Sequence, residues 1–195
     1  KHMRCLFTYG GMYLVCNSNL LYHASVPLNE DGSFKHVRIG KKEYWGHKLL
    51  QKTDQLIRTA YFDEDGSKEK NFALDYMWYM WCGPDAPSFD KDKMATFERY
   101  FIADKALHKE SKGYYYTLRN RADICDNILA EFGVEPGPHS HIINGHVPVK
   151  IIKGERPIKA DGKLLVIDGG FSKAYQPETG IAGYTLVYHS HGMQL

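Results

Sequence analysis

Two histidines, His23 and His146, carry the chemistry most directly written in this chain. Each follows a short apolar run: Leu20-Leu21-Tyr22 leads into His23 just before a proline-containing loop, and Ile142-Ile143 leads through Asn144-Gly145 into His146. Such runs read as buried strands that deliver one imidazole to a turn at their C-terminal ends. The end of a buried strand holds a side chain to the fraction of an ångström that metal coordination requires, and neutral imidazole is the commonest protein ligand for first-row divalent metals. Spacing alone does not make them a pair, because they lie 123 positions apart. Two unrelated histidines, each capped by a backbone carbonyl or placed at a surface turn, would read the same way.

Other groups could act beside them. Lys150, Lys153, Arg156 and Lys159 follow His146 closely, and cations near a metal site can hold a phosphate through charge-assisted hydrogen bonds. A solvated basic hairpin accounts for the same residues. His139 with His141, and His189 with His191, share a strand face at i, i+2 and could chelate a metal; placement on the surface is the plainer reading of His139, His189 and His191. Asp168-Gly169-Gly170 ends the run LLVI, where the glycines allow either close backbone approach to a substrate or a tight turn, and Asp168 is not read as a ligand. Cys5, Cys16, Cys82 and Cys125 are dispersed without a CxxC pair, which suits reduced thiols in a cytoplasmic protein.

The elements that must position these groups fall into three stretches of a single partial domain. Residues 1–39 read as a β-meander (RCLFTY, MYLVC and LLYH separated by turns), 40–132 as a helical insert, and 133–195 as a β-rich segment containing HIING, PVKII, KLLVIDGG and AGYTLVYH. In the insert Trp45, Leu49, Leu56 and Ala60 recur at helical spacing, as do Met94, Phe97 and Phe101, and a helix carrying Ala122, Cys125 and Leu129 stops at Gly133. FALDYMWYMWC is apolar nearly all round and reads as a buried helix, with Trp78, Tyr79 and Trp81 in the core. The order β, helices, β implies one sheet system closed around the insert.

Composition bounds the function. The chain has 195 residues with 43% hydrophobic and 25% charged content, enough for a sizeable core. Lys and Arg number 25 against 23 Asp and Glu, which gives no electrostatic reason for nucleic acid or an anionic membrane as partner. No apolar run approaches a membrane span, and the opening KHMRCLF lacks a signal-peptide pattern. The chain begins with Lys rather than Met and opens directly into strand-like sequence, so it reads as a fragment or processed piece.

Four segments together, LLYHASVPLNEDGSF (20–34), WCGPDAPSFDKDKMATFERYFI (81–102), HIINGHVPVK (141–150) and GERPIKADGKLLVIDGGFSKAYQPETGIAGYTL (154–186), resemble the class III, Firmicutes-type fructose-1,6-bisphosphatases. The resemblance runs nearly end to end, and its last segment is the most specific. It implies the calcineurin-like metallophosphoesterase architecture: an α+β fold of which this chain is the C-terminal half of an αββα sandwich. It also implies removal of the 1-phosphate of fructose 1,6-bisphosphate in gluconeogenesis, with a dinuclear divalent-metal site, typically manganese. His23 and His146 match the positions of the two late metal-ligating histidines, and Lys150 and Arg156 become candidates for the second phosphate. Val147-Pro148 after the Gly-His pair is similar to the branch in which both late histidines serve one metal.

The family's earlier segments, of the form GDxHG, GDxxDRG and GNHD or GNHE, are absent. Two-metal phosphate hydrolysis needs both ions, so no catalytic residue is assigned in this fragment, and the missing N-terminal part of the same protein is an expected partner. A half-sheet exposes edges and apolar faces, which leads to the expectation of a homo-oligomer. Two other functions stay open: a metallophosphoesterase acting on another ester such as a phosphoprotein, and a non-catalytic binding or regulatory module.

Overall fold

The computed structural model describes residues 1–195 apart from Ser172, Ala174, Tyr175 and Ala182, and apart from the side chain of Thr96. Along the chain run α1 (His2–Tyr9), β1 (Tyr13–Cys16), β2 (Asn19–Tyr22), β3 (Val37–Ile39), β4 (Lys42–Tyr44), α2 (Gly46–Phe62), α3 (Lys68–Cys82), α4 (Thr96–Phe101) and α5 (Tyr115–Leu118). They are followed by α6 (Ala122–Glu131), β5 (His141–Asn144), β6 (Ile158–Lys159), β7 (Leu164–Val166), α7 (Gln176–Thr179), β8 (Val187–His189) and β9 (Gly192–Gln194). The class is α+β. The chain divides into two compact units, one of residues 1–14 and 25–118, the other of 15–24 and 119–195.

The first unit is mainly helical. Helix α2 turns Leu49, Leu50, Leu56 and Ala60 inward at i, i+3, i+4 spacing, and α3 meets it with Ala73, Tyr76 and Met80. The Tyr76 hydroxyl lies 3.0 Å from Thr53 Oγ1 at this seam, which satisfies both buried polar groups. Ser67 caps α3 by accepting from the Lys70 N–H. Two expectations are corrected here. RCLFTY is not a strand but α1, whose terminal carbonyls at Phe7 and Gly10 accept from Arg58 at 2.5 and 2.6 Å while the Phe7 ring stacks on Tyr61. Helix α3 is not buried all round: Trp78 and Trp81 are 61% and 57% exposed, because a helix packed along one stripe hides one face only.

The loop after α3 is strapped to its own unit. Ser25 N–H donates to Pro87 O, Asp90 N–H to Ala86 O and Gly113 N–H to Asp90 O. Asp90 itself is 2% exposed with backbone φ of 49°, and its Oδ2 has no hydrogen-bond partner among the described residues.

The second unit holds the sheet. Its strand order is β1-β2-β5-β7-β6, with β2, β5 and β7 parallel and β6 antiparallel to β7. Residue Asn19 pairs with His141, Leu20 with Ile142 and Leu21 with Ile143, so two β portions remote in sequence join in one sheet. Leu20, Ile142, Leu164 and Val166 are fully buried, as strands covered on both faces require. Helix α6 contributes Ile124, Cys125, Ile128 and Leu129 to the core and ends at Gly133, whose φ of 74° closes a Schellman-type stop with Val134 N–H on Leu129 O. PVKII departs from the β expectation, since Ile151–Lys153 form a 3-10 turn ending at Gly154 in the left-handed region. Of AGYTLVYH, the described residues form β8 alone, paired with β9 in a separate two-stranded sheet.

A candidate metal site at the ends of two parallel strands

Parallel pairing brings His23 and His146 together. Continuing the β2/β5 register past Leu21 and Ile143 sets His23 beside Gly145, and Gly145 N–H donates to His23 O at 2.9 Å. Asn144 is almost fully buried and donates through Nδ2 to Ala24 O at 3.0 Å, which ties the two strand ends across the sheet. The chain then turns sharply: His146 adopts φ of 66°, the left-handed region that costs a side-chain-bearing residue about 1–2 kcal/mol.

The result is a pair of imidazoles in contact. His23 Nε2 lies 3.1 Å from His146 Nδ1, with ring centroids 5.0 Å apart and planes at 68°. As a hydrogen bond this needs a proton on one nitrogen and a lone pair on the other. With both facing nitrogens deprotonated, each offers a lone pair as a metal donor. Donors about 2.1 Å from a cation stand about 3.0–3.4 Å from each other in octahedral or tetrahedral coordination, so the observed separation fits a shared ion. Partial desolvation lowers the pKa of His23 and the charge of Asp168 opposes it, a shift toward the neutral, metal-binding form in a side chain that remains exposed at the surface.

Asp168 follows β7 on the other side of β5. Its carboxylate accepts backbone N–H groups from Gly169 and His146, and its carbonyl accepts from Val149 N–H at 3.1 Å. Burial raises its pKa, while the two N–H donors and nearby His23 work against that rise. Asp168 and Asn144 are the residues of this site whose roles the sequence did not reveal. The signal was only that both stand at strand ends before glycine.

The other candidates lie elsewhere in the same unit. Lys150 precedes the 3-10 turn and its N–H donates to Glu155 at 3.1 Å, while Arg156 is exposed ahead of β6. His139, His189 and His191 are exposed; His141 is half-buried with Nδ1 2.9 Å from Gly162 O. His139, His141 and His189 line a cavity of about 690 Å³ with Asn19 and Tyr188, where β2 and β5 begin. Among the described residues no group of three or more His, Cys, Asp or Glu is placed to hold a metal ion. All four cysteines are free, and no described helix is long and apolar enough to cross a membrane.

Comparison with known proteins gives a consistent result. The sequence model of the family described as Firmicute fructose-1,6-bisphosphatase matches residues 1–195. Proteins named fructose-1,6-bisphosphatase class 3 from Bacteroides fragilis, Bacteroides thetaiotaomicron and Clostridium novyi are 84%, 83% and 58% identical over 195 residues. Each match covers 100% of this chain and 29% of the relative, so the chain spans under a third of the length of these relatives. No solved structure matches it.

Proposed function

The chain belongs to the Firmicute fructose-1,6-bisphosphatase family, and from that premise we propose that it supplies two histidine ligands to a divalent-metal centre that hydrolyses the 1-phosphate of fructose 1,6-bisphosphate. The observation that carries this reading is the 3.1 Å approach of His23 Nε2 to His146 Nδ1 at adjacent strand ends. Two neutral imidazoles suit manganese, iron or zinc alike, and family resemblance favours manganese. When bound, a metal pair supplies activation of water and neutralisation of the phosphoryl oxygens.

The residues of this chain do the holding. His23 and His146 fix one ion through two donors set by the sheet, and Asn144 keeps the strand ends in register. Lys150 and Arg156 take the phosphate that is not cleaved, by charge-assisted hydrogen bonds. The remaining ligands come from the part of the enzyme outside this chain, which is its C-terminal portion, and the mixed sheet forms part of a calcineurin-like αββα sandwich. The complete enzyme works in the cytoplasm as a homo-oligomer.

The test uses the complete enzyme with manganese and follows phosphate release from fructose 1,6-bisphosphate. His23→Ala and His146→Ala each lower kcat by more than about 100-fold, beyond what outer-shell substitutions cost. Parental turnover in either variant refutes the ligand assignment, and preference for a phosphopeptide over the sugar refutes the substrate. The 195-residue chain alone releases no phosphate.

A further inference from the structure

A left-handed backbone at a residue other than glycine persists only where its surroundings over-determine it. His146 is such a residue, with φ of 66°, and it is followed by Val147 and by Pro148, which has no N–H to donate. The turn at 146–149 therefore has few bonds of its own to hold it. Val147 N–H reaches Gly145 O at 2.8 Å, and one residue on the neighbouring strand end adds two further bonds to the turn.

That residue is Asp168. Its side chain accepts the His146 N–H at the start of the turn, and its carbonyl accepts the Val149 N–H, at 3.1 Å, at the end. The Gly169 N–H on the same carboxylate fixes the acceptor in turn. Asp168 is itself anchored by β7, whose register with β5 pairs Asn144 with Val166 and continues as Ile167 N–H on Asn144 O at 2.8 Å. The bracket thus runs from the core of the sheet to the backbone that aims the His146 ring.

We propose that Asp168 is a positioning residue for the histidine pair: by bracketing the 146–149 turn it holds His146 in its left-handed conformation, so that Nδ1 of that ring meets Nε2 of His23. The inference rests on the metal-site reading above but assigns Asp168 no place among the ligands. It also accounts for an aspartate at the end of an apolar strand, where its charge lies within electrostatic reach of His23. Removal of the carboxylate takes away the bond at the start of the turn, while the main-chain bond from Val149 N–H to Asp168 O stays, so the backbone at His146 loosens and the two nitrogens separate.

Two measurements on the complete enzyme test this, neither depending on turnover. The first is amide hydrogen exchange at His146 in metal-free protein, where Asp168→Ala speeds exchange at least about tenfold while amides of β5 keep their protection. The second is manganese affinity from the free-ion electron paramagnetic resonance signal. Asp168→Ala weakens binding about 10- to 100-fold, the range for outer-shell partners, and Asp168→Asn, whose carbonyl can still accept one N–H, weakens it less. The Asn variant carries the test if the Ala variant does not fold. Unchanged exchange at His146 overturns the bracket. Faster exchange with unchanged manganese affinity, in an enzyme where His146→Ala abolishes binding, overturns the positioning role alone. Parental affinity in both His23→Ala and His146→Ala overturns the metal site and the inference with it.

Discussion

Asp90→Asn is expected to stabilise the helical unit at neutral pH and not at acidic pH. Burial raises the Asp90 pKa from 3.8 to about 6, against a hydrogen bond from Ser25, with Asp85 adding to the rise and Lys35 opposing it. A shift of about 2 units corresponds to about 3 kcal/mol between the two protonation states. The folded state binds the proton more tightly than the unfolded one, so this contribution is fully present below pH 3.8 and is lost as pH rises through about 6. Above that, the folded protein carries a charged, buried carboxylate. Asn removes the charge and tolerates the left-handed backbone at φ of 49°. Its N–H₂ falls where Oδ2 has no partner, at a cost of about 1 kcal/mol or more, leaving a net gain of roughly 1–2 kcal/mol. Trp45, Trp78 and Trp81 all lie in this unit, so tryptophan fluorescence in urea reports its unfolding. The variant gains its advantage at pH 7.5 and loses it by pH 4.5. A difference between variant and parent that is the same at both values refutes the assignment of a buried, ionising Asp90.

Packing, backbone and charge elsewhere in the chain fix four further outcomes. Ile142→Ala, at a fully buried position between β2 and β7, lowers the urea midpoint of the sheet-bearing unit by the equivalent of about 2–5 kcal/mol, read by far-ultraviolet circular dichroism. Gly133→Ala places a side chain in open space at φ of 74°, so its cost is backbone strain alone, about 1–2 kcal/mol in a denaturant titration. Arg58→Ala leaves the α1 carbonyls without their donors, and amide exchange in His2–Tyr9 accelerates while that of α2 does not. On the function proposed above, Lys150→Glu and Arg156→Glu in the complete enzyme raise KM for fructose 1,6-bisphosphate at unchanged manganese affinity; an unchanged KM refutes the proposed phosphate contact of both.

Helices were legible where one apolar stripe recurred, as in α2 and α6, and the stop at Gly133 was legible because glycine alone adopts that backbone without strain. RCLFTY misled because its pattern admits strand or helix, and Arg58, distant in sequence, decides between them by collecting the helix carbonyls. Trp78 and Trp81 misled for a related reason. Their hydrophobicity says that burial is favourable, while the number of faces a helix can bury depends on what packs beside it.

The sequence by itself determined the mixed class, the strand-end placement of His23 and His146, and the family resemblance, since apolar runs, glycines and long matching segments are local properties of a chain. Only the tertiary structure decided that β2 lies parallel to β5 in the register that puts the two imidazoles 3.1 Å apart, and that Asp168 reaches across from β7 to brace the turn. Pairing of strands remote in sequence is chosen by the burial of whole faces, which is a property of the packed sheet and of no single segment.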